Sequence, residues 1–220
     1  GLSYIKELGV THVHLLPFYD YNSVDETKSA TQYNWGYDPV NYNIPEGSYS
    51  TNPSDGKVRI KELKELVKTM HSNGLRIIMD VVYNHVSNYD LNPLKFLDKE
   101  HYFRLDQNRN FISNSGCGND FKTESKHSRK IIIDSLIYWM EEYHIDGFRF
   151  DLASLIDWET IDYIQSELRK VNPNVFLIAE PWSPVNYQPN EFGNRAWVAW
   201  NDKYRNGIKG VEPIHKLGFI

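Results

Sequence analysis

An α/β fold with parallel strands is predicted by three features of the sequence. Apolar runs of strand length recur, segments with helical spacing separate them, and carboxylates stand at or just beyond the strand ends. A helix over 1–8, with Leu2, Ile5 and Leu8 in phase, stops at Gly9. A strand over 11–16 ends at Pro17, and a polar, aromatic-rich loop covers 18–58. A helix over 59–72 carries Ile60, Leu63, Leu66, Val67 and Met70 at helical spacing and stops at Asn73-Gly74. The strand over 76–82 follows at once. It is apolar almost throughout, as suits a strand covered on both faces. Residues 86–127 read as an irregular loop subdomain, long enough to be functional or an insertion. A helix over 128–143, a strand over 147–152, a helix over 158–170 and a strand over 175–179 come next, then a short helix near 202–209.

Four strands with their helices in 220 residues make about half of a closed eight-stranded barrel, which takes ~250 residues. A doubly wound open sheet is the alternative, although neither a Walker loop nor a glycine-rich turn after the first strand supports a nucleotide-binding version. The chain opens inside a helical pattern and closes at Gly218-Phe219-Ile220 without a cap, so it reads as an internal part of one larger domain, with flanking domains not included. Net charge is -5 with acidic and basic residues interleaved, which points away from nucleic acid and from a membrane surface. The single Cys117 excludes an intrachain disulfide framework but leaves the compartment open. Aromatic residues make up 14% of the chain; they fit either sugar-stacking surfaces or ordinary core filling.

The strand ends carry the chemistry. The second strand finishes Asp80-Val81-Val82-Tyr83-Asn84-His85, the third reads Gly147-Phe148-Arg149-Phe150-Asp151, and the fourth finishes Ile178-Ala179-Glu180-Pro181-Trp182. Burying an unpaired carboxylate is costly, so each needs a partner or an open cleft. Arg149 and Asp151 are two apart and share one face of the strand. A guanidinium beside Asp151 favours its ionised form, which suits a nucleophile, whereas a more apolar setting for Glu180 would keep it protonated as an acid. Carboxylates on neighbouring strands can approach to the ~5 Å used by retaining glycosidases. Taken singly, each motif has a plainer reading: an ion pair, a strand-end glutamate, a structural histidine.

Together, in this order, the three segments resemble three consecutive conserved regions of the α-amylase family. They fit its third, fourth and fifth barrel strands, which makes the chain roughly strands two to five of a TIM (β/α)8 barrel with long loop insertions. The resemblance implies Asp151 as nucleophile, Glu180 as general acid/base, Arg149 as the residue orienting the nucleophile, and Asp80 and His85 as contacts to the sugar at the cleaved position. Trp182 is implied as a further substrate-binding residue. Asn84 matches a position that ligates structural calcium in many α-amylases; the chemistry itself calls for no cofactor. Tyr33-Asn34-Trp35-Gly36-Tyr37-Asp38-Pro39 is similar to the signature of the type I pullulanases within that family, with Tyr37 as the ring beneath the sugar. Ser115-Gly116-Cys117-Gly118-Asn119-Asp120 looks pullulanase-like too, and Cys117 reads as a small loop residue rather than a nucleophile.

The implied activity is hydrolysis, with retention, of α-1,6-glucosidic branch linkages in pullulan, amylopectin and limit dextrins, with α-glucan as the partner. An isoamylase or glycogen-debranching type of enzyme and a non-catalytic α-glucan-binding relative are the alternatives. The family's third carboxylate, in a His-Asp motif, is not present: His215 is followed by Lys216. The chain on its own is therefore expected to be inactive and poorly folded, with an open sheet edge.

Overall fold

The structure is a computed structural model of the 220-residue chain and describes residues 1–211 and 216–218. His215 lies outside the described residues. Helix α1 (Leu2–Glu7) leads through Gly9, whose φ of 69° favours glycine, into strand β1 (His12–Leu15). The stretch expected as a loop then folds back on itself as an antiparallel pair, β2 (Tyr19–Tyr21) and β3 (Pro39–Pro45), broken by two register shifts. Helix α2 (Gly56–Ser72) starts three residues earlier than its apolar spacing suggests, because Asp55 caps it by accepting from the Lys57 backbone N–H. Strand β4 (Arg76–Val81) follows.

Residues 86–127 are less irregular than expected. They hold helix α3 (Pro93–Tyr102), capped by Asn92 and kinked at Asp98, with no buried residue of its own. Only its Leu94 and Tyr102 pack on the core, so the helix leaves little periodic trace in the sequence. The remaining elements are α4 (Lys126–Tyr143), β5 (Gly147–Phe150), α5 (Trp158–Val171), β6 (Phe176–Ala179), the short pair β7 (Trp182–Ser183) and β8 (Asn186–Tyr187), α6 (Pro189–Asn194), β9 (Val198–Ala199) and α7 (Asp202–Lys209). A final antiparallel pair joins β10 (Gly210–Val211) to β11 (Lys216–Leu217).

The central sheet has five strands in the order β1-β4-β5-β6-β9, every neighbouring pair parallel. This corrects the expected count of four. Strand β9 is two residues long, too short to leave a pattern. The strand order follows the chain without reversal, whereas a doubly wound sheet reverses at a switch point. One hydrophobic core joins alternate strand residues Ile77, Met79, Val81, Phe148, Phe150, Leu177 and Ala179 to Val67 and Met70 of α2, Ile132, Leu136 and Trp139 of α4, and Ile161, Ile164 and Leu168 of α5. All three long helices thus cover the same face, as in a barrel wall. Strands β1 and β9 form the edges of the sheet and are more exposed than the three between them. Among the described residues, no helix is long and apolar enough to cross a membrane.

Candidate active site

Side chains alternate between the two faces of a strand. With Ile77, Met79 and Val81 committed to the helices, Ile78 and Asp80 face the other way. Strand register then lines up the rest: Asp80 pairs with Arg149, and Arg149 with Ile178. Two residues further on, Asp151 and Glu180 stand side by side where the strands end. The ladder continues past them, since Asp151 N–H donates to Val81 O (2.9 Å) and Glu180 N–H to Phe150 O (3.0 Å).

Arg149 holds this face together. Its Nη1 donates to Asp80 Oδ1 (2.8 Å) and Asp151 Oδ1 (3.1 Å), and its Nη2 pairs with Glu180 Oε1 at 3.0 Å. The expectation tied Arg149 to the nucleophile alone; the structure gives it three carboxylates. Burial works against its charge, but Asp80, Glu180 and Asp151 outweigh that and hold the guanidinium above its ordinary value. Glu180 Oε2 also accepts from the Leu152 backbone N–H at 2.8 Å. Burial nevertheless pushes the Glu180 carboxyl up to about 7, aided by the Asp151 charge and opposed by Arg149 and that N–H. A carboxyl in this range keeps much of its proton near neutrality and can donate it.

Tyr37 and His85 meet through the loop before β3. Gly36 makes that loop possible: its φ is 88°, and a Cβ there would lie 2.8 Å from Pro17 O. The Tyr37 hydroxyl donates to Asp80 Oδ2 (2.8 Å), and its backbone carbonyl lies 2.9 Å from His85 Nε2. Burial and the Asp80 charge push the Tyr37 phenol up, so it remains a donor. His85 Nδ1 lies 2.6 Å from Asn84 Oδ1, and Asn84 Nδ2 donates to Asp151 O (2.9 Å) and Oδ2 (3.0 Å). Both ring nitrogens of His85 therefore face oxygen acceptors, an arrangement that favours the charged ring. Burial outweighs it and Asp151 together and lowers the imidazole pKa, leaving the neutral ring one N–H short. Asn84 is engaged at both amide atoms and ties His85 to Asp151. Among the described residues, the one group of three potential metal-binding side chains lies elsewhere, at Asp20, Glu26 and Glu46, and Arg59 already pairs with Glu26 there.

Trp182 sits at the rim, 6.0 Å from Trp200 between ring centroids, and borders an open depression of about 550 Å³ with Tyr187, Asp202 and Arg205. A larger apolar cavity of about 620 Å³ between β1 and α2 shares only His14 with the charged face and holds none of its carboxylates. Cys117 is exposed as a residue, but partial covering of its thiol pushes its pKa up, in keeping with a loop residue rather than a nucleophile. Two residues of the site escaped sequence reasoning. His14 Nε2 lies 3.2 Å from Asp80 Oδ2, and the indole of Trp200 lies 4.3 Å from the Arg149 guanidinium carbon. Strand parity carried back from Pro17 could have pointed to His14; Trp200 follows a two-residue strand and has no such signal.

Residues 1–103 match the family model described as the α-amylase catalytic domain. Over 96% of its length the chain is 41% identical to a pullulanase of Bacillus subtilis, of which it covers 30%. Over 94% of its length it is 35% identical to isoamylase 3 of rice (Oryza sativa), of which it covers 29%. It superposes along its whole length on a crystal structure of a Paenibacillus barengoltzii pullulanase in complex with maltohexaose and α-cyclodextrin, with a TM-score of 0.92, 43% identity and 36% of that chain covered. The chain thus spans about a third of the length of these three relatives. Its five parallel strands with helices on one face are part of an α/β barrel, and nearly the whole chain is similar to pullulanases and isoamylases.

Proposed function

We propose that the protein containing this chain is a retaining glycoside hydrolase of pullulanase type, cleaving α-1,6-glucosidic branch linkages in α-glucans, and that residues 1–220 are part of its single catalytic domain. The observation that carries the reading is the pair Asp151 and Glu180 at adjacent strand ends, both bonded to Arg149, with burial pushing Glu180 up to about 7.

The chemistry follows from that arrangement. Asp151, charged and braced by Arg149 and Asn84, attacks the anomeric carbon. Glu180 gives its proton to the departing 6-oxygen. The C–O bond breaks, and a glycosyl ester forms on Asp151. Glu180, now a carboxylate, takes a proton from water, which attacks the same carbon and releases the sugar with its configuration retained. Tyr37, Asp80 and His85 bind the sugar at the cleaved position, and Trp182 binds further along the glucan. Glycosidases of this family need no cofactor for the reaction. A calcium ion at Asn84 would have to share an Oδ1 that already faces His85 Nδ1 at 2.6 Å.

Pullulan digested with the full-length protein should yield maltotriose. Release of branches from glycogen with pullulan untouched would move the protein to the isoamylase type, represented by the rice relative. Glucan binding without any hydrolysis would make it a non-catalytic relative.

A further inference from the structure

Three carboxylates compete for one guanidinium in this site, so the plane in which Arg149 lies decides how its two terminal nitrogens are shared. Hydrogen bonds fix only one side of that plane: Nη1 and Nη2 reach Asp80, Asp151 and Glu180, while Nε is buried and has no hydrogen-bond partner among the described residues. Flat aromatic faces supply the rest. The Trp200 indole lies 4.3 Å from the guanidinium carbon, against 5.7 Å for the Tyr37 ring. Arginine stacks well on such faces because its charge is spread over a weakly hydrated plane.

Trp200 is itself firmly placed. Its backbone N–H donates to Ala179 O (3.1 Å), extending the sheet one residue past β9, and the next residue, Asn201, caps α7 by accepting from the Tyr204 N–H (2.9 Å). Its ring meets His14 edge-on at 6.4 Å and Trp182 at 6.0 Å. It thus touches the partner of Asp80, the guanidinium, and the ring at the rim.

We propose that Trp200 is a positioning residue. Its indole face holds the plane of Arg149, and through Arg149 the relative placement of Asp80, Asp151 and Glu180. The inference rests on the hydrolase reading above.

The test uses the full-length protein and pullulan, with Trp200→Leu and Trp200→Phe. Loss of the aromatic face should lower kcat on the order of tenfold while KM stays within about twofold, and the phenyl ring should restore most of the loss. The Arg149 charge opposes the rise in the Glu180 pKa, so a loosened Arg149 should move the alkaline limb of kcat/KM upward in Trp200→Leu but not in Trp200→Phe. Unchanged kcat and pH profile in Trp200→Leu would overturn the inference, as would a loss confined to KM, which would mark Trp200 as a sugar contact. Should Trp200→Leu fail to melt cooperatively, Trp200→Phe decides: a tenfold loss of kcat there overturns the inference. If the unaltered protein does not cleave pullulan, the hydrolase reading fails first and separately.

Discussion

The two faces of the central sheet are built from the same strands and do opposite work. On one, Ile77, Met79, Val81, Phe148, Phe150, Leu177 and Ala179 interlock with the helices. On the other, alternate residues of those strands give Asp80 and Arg149, and the strand ends add Asp151 and Glu180. The apolar face gains from burial in proportion to area and needs little directionality. The charged face is buried at a cost and is tolerable only because every carboxylate has a named donor. Stability and chemistry are thus separated by a one-residue step along each strand, and substitutions on the two faces should be separable as well.

The largest effect is expected from Asp151→Asn in the full-length protein. Losing the proposed nucleophile should lower kcat by at least about 10³-fold, with the melting temperature unchanged or raised because a crowded negative charge is gone. A marked fall in melting temperature would break the separation. Phe148→Ala should show the reverse: a fully buried ring is lost, costing about 3–5 kcal/mol of stability, while kcat per folded molecule holds at low temperature. Next comes the pH profile. Glu180 must be protonated to act as the acid, and its carboxyl sits at about 7, so kcat/KM should fall as pH rises through about 7. That limb should vanish in Glu180→Gln; a limb that persists assigns it to another group. The smallest effect is expected at His14. His14→Gln keeps a side chain able to donate to Asp80, so activity should fall only about threefold, within the range of one modest hydrogen bond.

Much of this division was legible before the structure. Val81-Val82 and Phe148-x-Phe150 announce buried strands, and a carboxylate embedded in such a run is expensive enough to signal function. The placement of Asp151, Glu180, Asp80 and Arg149 on one surface follows from parity once the strands are adjacent. What a single strand cannot reveal is register between strands, and register decides that Arg149 serves Asp80 and Glu180 as well as Asp151. Strand β9 escaped because Val198–Ala199 is shorter than any period. Helix α3 escaped because only Leu94 and Tyr102 of it pack on the core while its other large apolar residues, Phe96 and Leu97, are exposed, so its apolar residues do not fall on one stripe.

Gly147 opens β5 at the end of the strand far from the chemistry. A Cβ there would lie 2.4 Å from Phe176 O on β6, so any side chain must wedge the two strands apart. Asp151 stands four residues on, about 13 Å along an extended strand, and Glu180 stands the same four residues on from Phe176. The two strands behave like the arms of a pair of callipers, closed at the pivot by a missing methyl group. The spacing of the strands that carry Asp151 and Glu180 thus depends in part on a glycine two residues before Arg149.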